Sequence, residues 1–250
     1  MSYDNTVADN NVIVIRNLDK SFGENHVLKG FNLVVNKGEN VVVLGRSGTG
    51  KSVLIKCIVR LLDPDAGEIK VLGTDMLNLK QDQLDLMRTK IGFLFQSSAL
   101  YDSMSVQENL EFPLRRHLTK NVRIDVGKRV SEALDSVGLS GTQSMSPAEL
   151  SGGMRKRIGI ARTLILNPEV MLYDEPTTGL DPITGREINH LMLDVQEKFK
   201  TSSIIISHDM NCVKMTANRV VVLIDGTCYA EGSYEDLKRS QDTRIKQFFD

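Results

Sequence analysis

Short apolar runs separated by polar turns fill the first third of the chain. The runs 12–18, 27–35 and 68–72 are rich in β-branched residues, and the third follows a turn signal at residues 63–67. This pattern predicts antiparallel strands. They flank a fourth apolar run, Val41–Leu44, which has no polar residue and predicts a strand buried on both faces.

The middle of the chain has a different character. Residues 77–87 predict a helix, and residues 91–95 predict a buried strand that stops at Gln96. Beyond that point turn signals mix with amphipathic segments. We therefore expect a mainly helical lobe, about residues 97–160, inserted between two strands of the core sheet. Its predicted helical segments include 106–112 and 130–137, and residues 118–123 are predicted to form a surface loop.

Strands and helices alternate through the remaining chain. The predicted elements are, in order, helix 155–166, strand 170–173, a helix with Ile188, Leu191, Met192, Val195 and Phe199 on one face, strand 203–206, helix 211–217, strands 220–224 and 227–231, and a helix from Tyr234. This alternation predicts an α/β fold with a mainly parallel core sheet.

Composition and charge narrow the class of protein. The chain is 41% apolar and carries 31 basic against 32 acidic residues, which is ordinary for a soluble globular protein and gives no sign of a nucleic-acid-binding surface. Its apolar runs are far shorter than the roughly 20 residues of a membrane-spanning helix. Residues 1–11 are polar and lack the apolar core of a secretion signal, so we expect a disordered N-terminal arm. Three cysteines without regular spacing favour reduced thiols in the cytoplasm.

Residues 45–52 fit the phosphate-binding P-loop in full. The segment is Gly45-Arg46-Ser47-Gly48-Thr49-Gly50-Lys51-Ser52, and it opens into an apolar helix at Val53. Its glycines let the backbone approach an anion, and the start of a helix offers unpaired N–H groups to that anion. Lys51 would bring a charge to the terminal phosphates, and the Ser52 hydroxyl would ligate Mg²⁺. The segment predicts nucleoside triphosphate binding; the alternative is a glycine-rich turn that binds nothing.

Three further polar loops, at Gln96, Asp174-Glu175 and His208, each follow a predicted strand. Ligands of open parallel sheets lie beyond the carboxyl ends of the strands, so we expect these loops to converge on the P-loop. Ser151-Gly152-Gly153 begins a helix and is a second candidate anion site. Phe22 is predicted in a loop, either as a partly exposed core aromatic or as a platform on which a flat base stacks.

Taken in order, these motifs resemble those of the ATP-binding subunit of ABC transporters. The resemblance covers about residues 12–236 and leaves residues 237–250 as a C-terminal helical tail. It implies the P-loop NTPase fold of ABC ATPases, with an antiparallel β subdomain and an inserted helical subdomain. The matching motifs are residues 45–52 as Walker A, Gln96 as the Q-loop, residues 150–154 as the signature, residues 170–174 as Walker B, Glu175 after it, Leu180-Asp181 as the D-loop and His208 as the switch histidine.

The resemblance implies ATP as the ligand and Mg²⁺ as the cofactor. Hydrolysis of the β–γ bond needs charge neutralisation on the phosphoryl oxygens and a well-placed water. Lys51 and Mg²⁺ would neutralise that charge. Residues that would hold the metal are Ser52, Gln96 and, through water, Asp174.

Three side chains are implied to act on the attacking water or the γ-phosphate. Glu175 would be the general base or would orient the water, with a solvated acid as the alternative. His208 would hydrogen-bond the γ-phosphate, unless it is a buried structural histidine. Gln96 would join them in catalysis.

The resemblance also implies a head-to-tail homodimer. ATP bound at residues 45–52 of one protomer would be covered by Ser151-Gly152-Gly153 of the other, and Asp181 would contact the partner. The basic cluster Arg155-Lys156-Arg157 is either a solvated face or a support for the nucleotide interface.

Two positions depart from the pattern of the family. Most members have Gln at Met154 and Tyr at Phe22. Met cannot donate the hydrogen bonds of that amide, whereas Phe keeps the ring and loses only the hydroxyl. The hydrogen bonds that the family's glutamine makes at the signature are therefore not expected in this chain.

Within the family, residues 93–115 are similar to the Mla/Mce-type ATPases that drive phospholipid traffic between bacterial membranes. Met154, residues 48–56 and the tail 234–249 agree with that subgroup. The resemblance implies a cytoplasmic ATPase on the inner face of the bacterial inner membrane. Its partners would be transmembrane permease subunits, an Mce-type lipid-binding subunit and a small accessory protein.

Other ABC systems stay open as alternatives, namely lipoprotein release, cell division and amino-acid import. A non-transport ABC ATPase that acts on DNA or ribosomes is disfavoured, because the chain has neither a long coiled coil nor a second cassette. Intact Lys51, Glu175 and His208 argue against a regulator that binds nucleotide without hydrolysing it.

Overall fold

The computed structural model describes residues 10–117 and 125–249. The predicted loop 118–123 lies outside the described residues, as does the predicted arm up to residue 9. The strands are β1 (Asn11–Phe22), β2 (Asn25–Asn36), β3 (Asn40–Leu44), β4 (Ala66–Val71), β5 (Thr74–Asp75), β6 (Ile91–Leu94), β7 (Val170–Asp174), β8 (Ser202–Ser207), β9 (Arg219–Ile224) and β10 (Thr227–Gly232). The helices are α1 (Lys51–Ile58), α2 (Gln81–Thr89), α3 (Val106–His117), α4 (Val126–Asp135), α5 (Gly152–Leu164), α6 (Pro182–Phe199), α7 (Met210–Thr216), α8 (Tyr234–Lys238) and α9 (Thr243–Lys246), with a short 3₁₀ turn at Pro147–Glu149.

A six-stranded sheet lies at the centre, in the order β10-β9-β3-β8-β7-β6. Its neighbouring strands are parallel except for the antiparallel pair of β9 and β10. Strands β3, β7 and β8 are buried along their whole length, as expected of parallel strands covered on both faces. Their carboxyl ends, at Leu44, Asp174 and Ser207, therefore meet at one edge of the sheet.

The pleat of the sheet divides its side chains between two apolar cores. Val42 and Leu44 of β3 belong to one core, which α3, α4, α5, α6 and α7 complete. Val41 and Val43 belong to the other, which α1, α2 and the second sheet complete. Successive residues of a strand point to opposite faces, so an uninterrupted apolar run is what a doubly covered strand requires.

The second sheet is antiparallel, in the order β2-β1-β4-β5. The expected strands over 12–18, 27–35 and 68–72 are present here as β1, β2 and β4. β1 and β2 run past the expected bounds at both ends, whereas β4 begins two residues earlier and ends one residue earlier than expected. Two differences are corrections. β1 already begins at Asn11, within the predicted arm, and it continues to Phe22, which is the last residue of a strand and not a loop residue. Phe22 pairs with Asn25 across a two-residue turn, and this pairing prolongs both strands.

The predicted helix over 77–87 is displaced toward its C-terminus, because α2 begins only at Gln81. Asp75 Oδ1 accepts a hydrogen bond from the Leu77 N–H at 2.9 Å, and Arg60 donates to the carbonyls of Met76 and Leu79. These contacts satisfy the backbone groups of residues 76–79 in a loop conformation. The segment therefore gains no hydrogen-bonding advantage from helix formation.

The C-terminal residues pack on the body of the same protomer. Leu237 of α8 and Ile245 of α9 are each 6% exposed and belong to the first apolar core. Arg244 pairs with Asp225, and the Tyr229 hydroxyl donates to Asp242 at 2.7 Å. Among the described residues, no helix combines the length and the apolar character that crossing a bilayer requires.

Candidate active site

The predicted phosphate-binding loop connects the end of β3 to the start of α1. Gly50 precedes α1 with φ of 100°, a left-handed conformation that glycine adopts without strain. A Cβ there would lie 2.7 Å from Val27 Cγ1, and a Cβ at Gly45 would lie 2.8 Å from Thr49 Oγ1. The shape of the loop therefore depends on glycine at both positions. The unpaired N–H groups of the first turn of α1 lie at this loop.

Lys51, the first residue of α1, directs a buried ammonium group toward the loop. Its Nζ donates to the carbonyl oxygens of Gly45 at 2.6 Å and Arg46 at 2.9 Å, and it lies 3.7 Å from Glu175 Oε1. Burial lowers the pKa of Lys51, and the negative charges of Glu175 and Asp174 oppose that shift. A buried cation beside a helix N-terminus suits a polyanion such as the phosphates of a nucleotide.

Ser52 and Asp174 meet next to Lys51. The Ser52 hydroxyl donates to Asp174 Oδ1 at 2.9 Å, which joins the start of α1 to the end of β7. Burial raises the pKa of Asp174; the hydrogen bond from Ser52 opposes this effect, and the nearby charge of Glu175 adds to it. A hydroxyl and a carboxylate are the hard oxygen ligands that Mg²⁺ takes at phosphate sites, so the residues present fit this ion.

Glu175 follows β7 in the left-handed region, with φ of 51°. Such a conformation is costly for a non-glycine residue and persists only where the surroundings fix it. Its N–H donates to the Ile206 carbonyl at 3.0 Å, its Oε2 accepts from Thr178 Oγ1 at 3.1 Å, and His208 Nδ1 lies 2.7 Å from the same Oε2. The side chain is only 12% exposed, so the alternative of a solvated acid does not fit.

His208 follows β8 and covers Glu175 from the solvent side. Its side chain is 54% exposed, which contradicts the alternative of a buried structural histidine. Its Nδ1 is the ring nitrogen that faces the Glu175 carboxylate. Lys51, Asp174, Glu175 and His208 thus form one connected cluster at the edge of the sheet, as the sequence led us to expect.

Gln96 joins this cluster through its main chain. Its carbonyl accepts a hydrogen bond from Lys156 Nζ, and the same ammonium lies 3.4 Å from the carbonyl oxygen of Glu175. Lys156 is 4% exposed, so the interpretation of residues 155–157 as a solvated face is wrong for this residue. Its neighbours also bond within the protomer: Arg155 donates to the Leu150 carbonyl, and Arg157 to Val137 and Glu187.

The signature residues contact the D-loop of their own protomer. Ser151 caps α5, and its hydroxyl accepts from the Met154 N–H at 3.2 Å. A Cβ at Gly153 would lie 2.5 Å from Thr184 Cγ2, and one at Gly152 would lie 3.3 Å from Leu180. The Met154 side chain packs against the first apolar core, which is a role that its thioether can fill in place of a polar amide.

Asp181 caps the next helix, α6. Its Oδ1 accepts from the N–H groups of Ile183 and Thr184 at 3.0 Å each, and its Oδ2 accepts from Thr184 Oγ1 at 2.6 Å. The hydrogen bonds from Thr184 lower the pKa of Asp181. In the described part of the chain, the hydrogen bonds of Asp181 thus stay within α6, and the signature glycines lie against Leu180 and Thr184 rather than against the P-loop.

Phe22 is 47% exposed at the tip of the β1–β2 hairpin, with Lys20 Nζ 5.5 Å from its ring centroid. The same hairpin carries Val27, which packs on Gly50 of the P-loop. The ring is thus presented to solvent at the end of an element that borders the loop. This position suits a stacking platform better than a core aromatic.

Of the remaining predicted nucleotide-binding residues, four lie in the loop and one lies in α1. Arg46 Nη2 donates to Gln247 Oε1 at 2.6 Å in the C-terminal tail, and Thr49 Oγ1 donates to the Arg46 carbonyl at 2.9 Å. Ser47 and Gly48 lie at the exposed tip, where Gly48 has φ of 81°. Val53 in α1 packs against the second apolar core.

Two residues that contact the site, Thr178 and Gln247, were not expected from the sequence, and Lys156 was expected only as part of the basic cluster 155–157. Thr178 and Gln247 carry no signal, since a threonine and a glutamine in loops are commonplace. Lys156 does have a signal in the sequence, because Gly153 and Gly159 lie three residues before and after it on the same helix. Small residues at that spacing mark a helix face in close contact with another element, which predicts burial of the residue between them.

A glycine loop that ends in a buried lysine, a serine–aspartate pair suited to Mg²⁺ and a glutamate bridged to a histidine define a P-loop nucleoside triphosphatase. The profile of the ABC transporter family matches residues 28–178. Three curated relatives differ in how much of their length this chain spans.

The probable ribonucleotide transport ATP-binding protein mkl of Mycobacterium leprae is 38% identical over 236 residues, which are 94% of this chain and 68% of that protein. The intermembrane phospholipid transport system ATP-binding protein MlaF of Haemophilus influenzae is 38% identical over 240 residues, 95% of this chain and 90% of that protein. The methionine import ATP-binding protein MetN of Brucella abortus is 39% identical over 222 residues, 88% of this chain and 59% of that protein.

A solved structure agrees with these relatives. The ATP-binding cassette MJ0796, in a dimeric post-hydrolysis state bound to ADP and Pi, matches with a TM-score of 0.79 and 33% identity over 88% of this chain and 98% of that one. The chain therefore belongs to the ABC transporter family and is one of its ATP-hydrolysing subunits. The fold class and the family that the sequence predicted are confirmed.

Proposed function

We propose that the chain binds Mg²⁺ and ATP at residues 45–52 and drives a membrane permease in phospholipid transport. The series of close charged contacts from Lys51 through Glu175 to His208, beside the hydrogen-bonded Ser52–Asp174 pair, carries the first half of this proposal. It brings a cation, a metal-binding pair and a carboxylate base to the edge of the sheet where a triphosphate would lie on the start of α1.

Each residue has a separate task in hydrolysis. Lys51 leaves the carbonyls of its own loop to neutralise the terminal phosphates. Glu175 takes up a proton from the attacking water or orients it, and its hydrogen bond from His208 fixes the direction of the carboxylate. Ser52 and Asp174, with Gln96, would hold Mg²⁺, which supplies positive charge to the phosphoryl oxygens.

The site is completed by a second copy of the chain. Ser151-Gly152-Gly153 at the start of α5 would cover the ATP of the partner, and Asp181 would contact the partner from α6. Ile183 beside Asp181 is 73% exposed, although large apolar side chains are usually buried. An exposed apolar residue next to the D-loop supports a protein contact at this surface.

A groove near Gln96 supports a membrane partner. It has a volume of about 380 Å³, and its lining includes Phe95, Tyr101 and Phe112, three arginines (Arg88, Arg116 and Arg162) and one carboxylate, Asp85, which pairs with Arg88. Tyr101 is 44% exposed and stacks obliquely on Phe112. An aromatic groove with a basic rim suits a short amphipathic helix with acidic residues, such as a cytoplasmic loop of a permease could supply.

Phospholipid is the cargo best supported. The relative named for intermembrane phospholipid transport is matched over 90% of its length, whereas the methionine-import relative is matched over 59%. The similarity of residues 93–115 to Mla/Mce-type ATPases supports the same cargo. Residues 12–236 would then be the ATP-binding domain and residues 237–250 a helical tail, at the cytoplasmic face of the inner membrane.

Identification of the membrane partner tests this proposal. The tagged chain is purified in mild detergent from its native bacterium, and the co-purifying proteins are identified by mass spectrometry. We expect a multi-span permease together with an Mce-type lipid-binding subunit and a small accessory protein. An amino-acid permease would overturn the cargo, and a nucleic-acid or ribosomal partner would overturn the transport function.

A further inference from the structure

One face of α5 holds the segment that follows β6. Lys156, Gly159 and Arg162 are spaced by three residues and so lie along a single side of the helix. A Cβ at Gly159 would lie 2.8 Å from Leu94 Cδ1 and 3.1 Å from Ser98 Cβ. The helix and the segment 95–99 therefore pack more closely than any larger residue at Gly159 would allow.

The segment itself has an unusual backbone. Ser98 and Ala99 are consecutive non-glycine residues with φ of 63° and 48°. Arg162 holds them from one end, since Nη1 donates to the Ala99 carbonyl at 2.7 Å and Nη2 to the Ser98 carbonyl at 3.1 Å. Two adjacent left-handed residues require such external support.

Lys156 holds the segment from the other end. Its ammonium donates to the Gln96 carbonyl and lies within 3.4 Å of the Glu175 carbonyl. Burial lowers the pKa of Lys156, and the charges of Asp174 and Glu175 oppose this shift. An apolar residue in its place would leave the Gln96 carbonyl without this donor and the Glu175 carbonyl with only the bond from the Thr178 N–H at 3.3 Å, and carbonyls that lose a donor inside the protein are costly.

Lys156 also contributes to the unusual conformation of Glu175. The Glu175 N–H is bonded to Ile206 of β8 and its carbonyl accepts from the Thr178 N–H, so the lysine adds a third contact to the main chain of a residue with positive φ. A single side chain of α5 thus reaches the backbone of two loops, on β6 and on β7.

We propose that Lys156 is a positioning residue that fixes Gln96 and Glu175 through their carbonyl oxygens, relative to the helix that begins at the signature. This inference rests on the proposed function in assigning Gln96 and Glu175 to hydrolysis. A displacement of the Q-loop is transmitted to the catalytic glutamate and to α5 through this ammonium group.

Hydrogen–deuterium exchange of the full chain without nucleotide tests the contact itself. The amides of Ser98 and Glu175 are both hydrogen-bonded, to Phe95 and to Ile206, so their exchange reports opening of the two loops. In Lys156→Met we expect both to exchange at least about tenfold faster, because loss of a charged hydrogen-bond donor shifts local opening by that amount. Unchanged exchange at both amides overturns the proposal.

Two variants complete the exchange experiment. Lys128→Met removes an exposed lysine of α4 in the same lobe, and we expect wild-type exchange at Ser98 and Glu175. If the methionine variant does not fold, hydrogen–deuterium exchange is measured on Lys156→Gln instead. Its shorter amide cannot span both carbonyls, so at least one of the two amides should exchange faster, and wild-type exchange at both contradicts the contact.

Steady-state kinetics then separate positioning from general destabilisation. For Lys156→Met we expect kcat to fall at least about tenfold while KM for ATP stays within about threefold, with partial recovery in Lys156→Arg. A wild-type kcat, or a loss of ATP affinity equal to the loss of rate, contradicts a positioning role. A wild-type protein that does not hydrolyse ATP would refute the proposed function instead, and the exchange result would still decide on the contact.

Discussion

Replacement of Glu175 by glutamine separates catalysis from folding. The amide has the shape of the carboxylate and can still accept hydrogen bonds from His208 and Thr178, so we expect the free energy of unfolding to change by only about 1 kcal/mol. It cannot take up a proton, and loss of a general base typically lowers the rate by about 10²- to 10⁴-fold. This loss corresponds to about 3–5 kcal/mol of activation free energy.

The charge of Glu175 also acts on Lys51, 3.7 Å away. At an effective dielectric constant of about 20, that separation corresponds to about 4 kcal/mol of attraction. Desolvation of the two groups offsets much of this energy, which is why the expected effect on folding stays small. Without the charge, Lys51 is freer to leave the loop for the phosphates, so ATP affinity should be kept or increased.

The assay measures phosphate release at saturating Mg²⁺ and ATP, unfolding in urea, and molar mass by light scattering with and without ATP. In the proposed function the dimer closes on ATP, so Glu175→Gln, which does not hydrolyse it, should accumulate as an ATP-bound dimer. The matched control is Glu169→Gln, at the opposite end of β7, where a 58% exposed carboxylate lies 3.7 Å from Lys90. Wild-type phosphate release by Glu175→Gln, within twofold, would remove Glu175 from the mechanism.

Three other changes have distinct expected outcomes. Lys51→Ala should abolish ATP binding or hydrolysis, and unchanged activity would contradict the P-loop assignment. Glu39→Gln should lower the free energy of unfolding by about 1–2 kcal/mol at pH 7, because Arg219 donates to both carboxylate oxygens. Cys57, Cys212 and Cys228 should resist alkylation at pH 8 until the protein unfolds, since burial raises the pKa values of their thiols to about 11, about 12 and about 11; rapid labelling of the folded chain would contradict this.

The Glu39 effect depends on pH with a defined sign. Burial acts to raise the pKa of Glu39, but the hydrogen bonds and charge of Arg219, with hydrogen bonds from Asn36, outweigh it and lower the pKa below 4.5. A carboxyl whose pKa is lowered on folding stabilises the protein fully above its unfolded pKa, and this stabilisation is lost as pH falls through the folded value. The unfolding free energies of wild type and Glu39→Gln in urea should therefore converge as the pH falls through the lowered pKa of Glu39, and a constant difference would contradict the ion pair.

The sequence predicts the parts of the site that depend on local chemistry. Gly45, Gly50 and Lys51 are restricted by the shape of one turn, and that turn is visible in eight consecutive residues. Asp174 and His208 could be placed together because parallel strands bring their carboxyl ends to one edge. These expectations need only the order of strands and the residues that follow them.

Contacts between distant segments are what the sequence could not predict. Helical periodicity over residues 77–80 is overridden by Arg60, whose guanidinium holds two carbonyls of that loop from another element. Lys156 is charged and therefore looks solvent-exposed, yet two carbonyls from separate loops surround it. In both cases a long side chain satisfies backbone groups far along the chain. Glycines on either side of Lys156 indicate its burial, but no local pattern identifies the carbonyls that it meets.

A crystal structure of Glu175→Gln with Mg²⁺ and ATP is the most direct test of the site. We predict a head-to-tail dimer with ATP on residues 45–52 of each protomer, the partner's signature segment 151–153 against the phosphates, and Lys51 moved from its loop carbonyls to the nucleotide. ATP bound elsewhere, or bound at this loop in a protomer that does not dimerise through the signature segment, would contradict the proposed mechanism.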